Sequence, residues 1–199
     1  MAIQFQYNKT YLQQLNRELR VRENALPTLA AKEAALRLEV HKARLEVQRL
    51  EQELAARTEA LANTYPLWHE LPEKIITVSQ VQVADKKIAG VKVPHLERVV
   101  FDIERYSLFS QPSWVPAGIE RLRELAELSS RIDLAHKKMA VLEHARKKTT
   151  QKVNLYEKVQ IPAYREAIVK IKRFLEDEES LAKSAQKILK ARLAREEAA

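Results

Sequence analysis

Five histidines, one acidic run and a basic C-terminal stretch are the places where chemistry could begin in this chain. His136 and His144 stand eight residues apart, about two turns of a helix, and so share a side of it. No pair among His41, His69, His95, His136 and His144 has the four-residue spacing by which one helical face holds a metal. Ordinary solvated or half-buried histidines account for them. Glu176 to Glu179, EDEE, offers oxygens to a cation or a partner, and a solvated charge block is the plainer account. With no cysteine there is no thiolate ligand, nucleophile or disulfide. Two isolated glycines, Gly90 and Gly118, cannot build a phosphate-cradling loop. The sequence therefore predicts no catalytic residue, no cofactor site and no metal site.

The remaining chemistry is that of surfaces. A formal net charge of +8 favours an anionic partner, whether nucleic acid, membrane surface or acidic protein. Lys183, Lys187, Lys190, Arg192 and Arg195 line the last turns, with Leu181, Ile188, Leu189 and Leu193 among them. The cations serve either a partner contact or solubility and the dipole of a helix C-terminus. Aromatics and glycines that would suit nucleic acid are missing from this stretch. Tyr65, Trp68, Phe101, Tyr106, Phe109 and Trp114 gather in the middle of the chain. They read first as a small core closing the end of a helix pair, and alternatively as an anchor for a partner.

Long helices must carry these groups. Two glycines and seven prolines in 199 residues leave few tight turns, and 31% of the residues are charged. From Leu12, steps of three and four reach Leu15, Leu19, Arg22, Leu26, Leu29, Glu33, Leu36, Val40, Ala43, Val47, Leu50 and Leu54. That is the seam of a coiled coil running from about Lys9 to Thr64. A second helical segment starts near Ala117, after Pro112 and Pro116. Its stripe reads Leu125, Leu128, Ile132, Ala135, Met139, Leu142, then Thr149, Val153 and Tyr156. A further stripe, Ile161, Tyr164, Ile168, Ile171 and Leu175, begins one step out of register. Between the helices, KIITVSQVQV from Lys74 to Val83 alternates as a strand does. ADKKIAG then supplies a turn, Pro94 follows Val91 to Val93, and His95 to Ile103 forms a return strand.

The expected fold is mainly α: a long antiparallel two-helix coiled coil with a small β-hairpin element at its far end. Its parts are an N-terminal helix over 1–70, a hairpin and connecting region over 71–116, and a C-terminal helix over 117–199. Antiparallel pairing sets Leu19 opposite Pro162, Pro27 near Asn154 and Thr10 opposite Ile171, leaving later residues as a single helix or frayed tail. Proline breaks the hydrogen-bond ladder, so a kink is expected at Pro27 and an irregularity at Pro162. The opening residues show no export signal, and no run is apolar enough to span a bilayer.

Three stretches resemble the D subunit of V-type ATP synthases. KVNLYEKVQIP, Lys152 to Pro162, is similar to that family's C-terminal signature, with Tyr156 where the family often has Phe. IAGVKVP from Ile88, with YSLF from Tyr106, resembles its middle region, and NKTYLQQLNRELRVRENALPTLAAKEAALRLE resembles its opening helix. The resemblance implies a non-catalytic central-stalk rotor subunit without cofactors. Its implied partners are the catalytic subunits A and B and the stalk subunits F and C/d, with the chain cytoplasmic and peripheral to the membrane. On this reading Pro27, Asn154, Leu155, Tyr156, Ile161, Pro162, Leu189 and Leu193 meet the catalytic hexamer. Ile75, Val78, Val81, Val83, Ile88, Gly90, Val91 and Val93 meet the foot of the stalk. A basic coiled coil that binds nucleic acid, or lies on a membrane surface, is the rival reading. The resemblance argues for no nucleic acid and no direct membrane insertion.

Overall fold

A computed structural model of the chain describes residues 6–71, 75–107, 109 and 111–196. Lys74 and Leu108, read above as bounds of the hairpin region, lie outside them, as do residues 1–5 and the side chain of Tyr65. In order, the elements are α1 (Lys9–Ala60), a 3-10 turn (Ala62–Thr64), α2 (Tyr65–Trp68), β1 (Ile76–Ile88) and β2 (Val91–Ile103). α3 (Val115–Asn154), a π-helical turn (Leu155–Gln160) and α4 (Ile161–Glu196) follow. The fold is mainly α, with a long helix pair and one antiparallel hairpin. The chain forms two compact units, Lys32–Lys148 and Met1–Ala31 with Thr149–Ala199.

In the unit Lys32–Lys148, the sequence seam becomes the core. Val47 and Leu50 of α1 are buried against Leu128, Ile132 and Ala135 of α3. The antiparallel sense is visible in the polar pairs beside them. Glu46 meets Lys138 at 2.7 Å, Glu51 meets His136 at 2.9 Å and Arg44 meets Glu143 at 3.4 Å. The hairpin is the third partner: Val93 packs with Leu36, Val40, Ala43 and Leu142, flanked by Ile88 and Val91. The base of the hairpin closes a separate cluster, in which Ile75, Val115 and Ile119 are buried beside Tyr106 and Trp114.

The hairpin is longer than its sequence suggests. ADKKIAG is not a turn as a whole: β1 continues through Ile88, and only Ala89 and Gly90 reverse the chain. Both have positive φ, 48° and 76°, as a two-residue hairpin turn with the twist of its strands requires. Lys86 and Lys87 do not end the strand, because a two-stranded sheet leaves such side chains in water. Pro94 lies inside β2, opposite Asp85. Counting outward from the turn puts that pair in a non-hydrogen-bonded position, where the missing N–H would point away from β1. Irregularities at Val78/Gln80 and Gln82/Val83 interrupt the register.

The other unit is built on the first turns of α1 and on α4. The Asn8 side chain caps α1, accepting the Tyr11 N–H at 2.6 Å. Leu15 is buried with Tyr164, Ala167, Ile168 and Ile171, and Tyr11, Leu12, Leu19 and Leu175 pack around them. The rings of Tyr7 and Phe174 meet at 4.7 Å. Beyond Leu175, α4 continues as a helix whose described side chains are exposed. Pro27 sits within α1, which is helical on both sides of it.

Candidate functional site

The one-step change of register has a defined structure. α3 gives way at Leu155–Gln160 to a π turn, in which the Ile161 N–H donates to the carbonyl of Tyr156, five residues back. A π turn holds one residue more than an α turn. Thr149, Val153 and Tyr156 face inward at steps of four and three, and the next inward apolar residue is Ile161, five on, with Gln160 half-buried beside it. The wide turn absorbs the surplus and keeps both stripes on one side. Pro162 follows directly and has no N–H of its own, so it cannot restore the α ladder at that point. The irregularity expected at Pro162 is thus a π turn immediately before it.

A polar network fastens this turn to α1. Arg22 donates from Nε to Gln160 Oε1 at 2.8 Å, Gln160 being the last residue of the π turn. From Nη1 it donates to the Glu18 carbonyl at 3.0 Å and lies 3.3 Å from Glu18 Oε2. Its guanidinium stacks 4.4 Å over the Tyr164 ring. The Tyr164 hydroxyl donates to Glu18 Oε2 at 2.6 Å, and Gln14 donates to Oε1 at 3.2 Å. The Tyr164 bond, then that from Gln14, holds the Glu18 carboxyl below its ordinary range. Burial, and then the same bond to Glu18, pushes the Tyr164 hydroxyl up. Arg165 adds a surface pair with Glu23 at 2.6 Å.

The sequence-derived residues fall into distinct settings. Around the π turn, Pro27, Asn154, Leu155 and Pro162 are exposed, Tyr156 is half-buried and Ile161 is buried. Ile161 therefore serves the unit's interior rather than its surface. On the tail of α4, Leu189 and Leu193 are exposed together with Leu181 and Ile188. In the hairpin, Val78, Val81 and Val83 are exposed and Gly90 stands at the turn. Ile75 and Val93 are only 3% and 1% exposed, and Ile88 and Val91 lean on the same core as Val93. The hairpin surface open to a partner is thus narrower than the stretch from Ile75 to Val93.

The aromatic cluster acts largely as a core. Trp68 and Trp114 meet edge to face at 5.6 Å, and Trp68 Nε1 donates to the Thr64 hydroxyl at 3.2 Å. Phe101 lies 5.4 Å under the Arg123 guanidinium, whereas Phe109 is fully exposed. His136 takes Glu51 as its partner. Among the described residues no group of three or more His, Asp or Glu is placed to hold a metal, and no helix is long and apolar enough to cross a membrane.

Sequence reasoning missed Glu18, Gln160 and the polar role of Tyr164. One signal was present: Arg22, like Glu33, interrupts the apolar seam, and a cation there needs an acceptor across the pair.

Comparison with known proteins covers most of the chain. Residues 11–191 match the family model of the ATP synthase D subunit. The chain is 30% identical over 192 residues to the V-type ATP synthase D subunit of Borreliella burgdorferi, covering 93% of each chain. It is 30% identical over 182 residues to the protein of the same name from Chlamydia muridarum, covering 89% of this chain and 90% of that one. To the Chlamydia abortus protein it is 31% identical over 160 residues, 78% of this chain and 77% of the relative.

Proposed function

The chain belongs to the ATP synthase D subunit family, and on that footing we propose that it is the non-catalytic central-stalk rotor subunit of a V-type ATP synthase. It transmits torque between a catalytic hexamer of subunits A and B and the ion-translocating rotor ring. The F and C/d subunits join it at the foot of the stalk. The complex holds it on the cytoplasmic side, peripheral to the membrane, and nucleotide turns over on the hexamer around it.

The observation that carries this reading is the family match along nearly the whole chain, on a helix pair stitched across its seam in each unit. A shaft has to resist twisting. Apolar side chains interlocked between helices resist it, and the cross-helix pairs add restraint at the rim. A shaft also has to be asymmetric, so that three similar catalytic interfaces meet different faces as it turns. The π turn and Pro162 supply such a break, and Pro27 adds a second site where the backbone ladder lacks a donor. In this reading the region around the π turn and the exposed tail of α4 work inside the hexamer, and the exposed valines of the hairpin face the foot.

Affinity purification of the tagged chain from its own cells tests the proposal. Recovery of subunits A, B and F supports it, and recovery of nucleic acid alone overturns it. Replacing Pro27 and Pro162 by alanine tests the asymmetry. Coupling of ATP hydrolysis to ion pumping falls if the two prolines supply it, and unchanged pumping removes them from the mechanism.

A further inference from the structure

The π turn and the proline after it leave backbone acceptors without a donor from their own helix, the Glu157 carbonyl among them. In α or π geometry the Glu157 carbonyl would take the N–H of residue 161 or 162. Ile161 has given its N–H to Tyr156, and residue 162 is proline. Glu157 is exposed, and among the described residues its carboxylate has no ion-pair or hydrogen-bond partner. Leu155 and Val159 on either side of it are 42% and 41% exposed. An unpaired carbonyl, a free carboxylate and two apolar side chains therefore share one solvent-facing turn.

We propose that this turn receives an arginine side chain from the protein surrounding α4. A guanidinium is the donor that fits, since its planar fork can serve a carbonyl and a carboxylate together. Its methylene stem covers apolar surface of the kind Leu155 and Val159 present. Lysine offers a point charge instead of a fork. Arg165, about two turns further along the helix, is no substitute, since it is paired with Glu23. The inference rests on the rotor reading, because it takes the surrounding protein to be the catalytic ring.

The experiment measures binding of the full chain to a purified ring of A and B subunits from the same cells, across a range of salt. Glu157→Gln removes the carboxylate charge, and Pro162→Ala restores an N–H that can close on the orphaned backbone. Glu176→Gln, in the solvated acidic run, is the control. Each of the first two variants lowers affinity about tenfold, as loss of one charge-assisted hydrogen bond does. Glu157→Gln also flattens the salt dependence, and the control binds like the parent chain. Should Pro162→Ala disturb the fold, seen as a lowered Tm, Glu157→Gln still decides. If Glu157→Gln binds like the parent with the same salt slope, water alone serves the turn and the proposal is overturned. Failure of the parent chain to bind the ring overturns the rotor reading beneath it.

Discussion

Tyr164, just past the π turn, donates its hydroxyl to Glu18 of α1 at 2.6 Å, and the Arg22 guanidinium lies over the same ring. One side chain thus fills the apolar seam with its ring and closes a polar network with its tip. Tyr164→Phe keeps the ring and removes the bond. The Glu18 side chain is 36% exposed, so solvent screens part of the effect and the loss is about 1 kcal/mol. A double-mutant cycle with Glu18→Gln, read by chemical denaturation, should return most of that as coupling.

The same pair gives a pH window. Glu18 is held below its ordinary value of 4.5, chiefly by Tyr164, so its contribution is full above that value and is lost as pH falls through the depressed folded one. Tyr164 is raised above its ordinary 10.0, chiefly by burial, so its contribution is full below that value and is lost as pH rises through the raised folded one. The difference in stability between the parent chain and Tyr164→Phe should be flat between these limits and shrink beyond either. A difference that persists unchanged into strong acid would contradict the bond to an ionised Glu18.

Deleting Val159 removes the surplus residue of the π turn. The inward positions then run in unbroken steps of three and four, so with Pro162 also replaced by alanine the segment can close as ordinary α-helix without displacing Tyr164 or Ile168. Tm should match or exceed that of the parent chain. Deleting Glu166 instead, within regular α4, rotates every later inward position by about 100°. That variant should lose the contact between Leu15 and Ile171 and melt many degrees lower.

Gly118 is required by the ring beside it. A Cβ there would lie 2.8 Å from Trp114 Cζ3, with Trp68 at 3.5 Å. Gly118→Ala should displace the Trp114 ring from its edge-to-face partner and cost about 1–3 kcal/mol, as overpacking does. Tryptophan fluorescence and near-ultraviolet circular dichroism report the displacement directly.

Leu142 is fully buried where α1, α3 and the hairpin meet. Leu142→Ala opens a cavity under Val93 and should destabilise the chain by about 3 kcal/mol. Amide exchange in β1 and β2 should rise with it, because the hairpin loses its seat.

Ala89 holds a left-handed φ of 48° that a side chain resists. Ala89→Gly relieves the strain and should stabilise the hairpin by about 0.5–1 kcal/mol. A fall in Tm would mean that the turn is set by contacts rather than by its own backbone.

Much of this protein was written in the order of its residues. Leu36, Val40, Ala43, Val47 and Leu50 recur every three or four positions, and a helix of 3.6 residues per turn can only place them on one side. The alternation of Thr77 to Val83 likewise required a strand, and the shift of phase before Ile161 required an irregularity. Family membership could be read from the same strings. Periodicity gives phase along a chain but not distance across it, and there the sequence stopped. That the extra residue becomes a π turn depended on Tyr164 and Ile168 having to meet Leu15. That Arg22 reaches Gln160, and Tyr164 reaches Glu18, depended on which turns of two antiparallel helices stand level. The hairpin's extent depended on Ile88 and Val93 finding Leu36 and Leu142, which carried the strands past the lysines to a two-residue turn. Local chemistry settled the elements, and packing between residues far apart in the chain settled their registers.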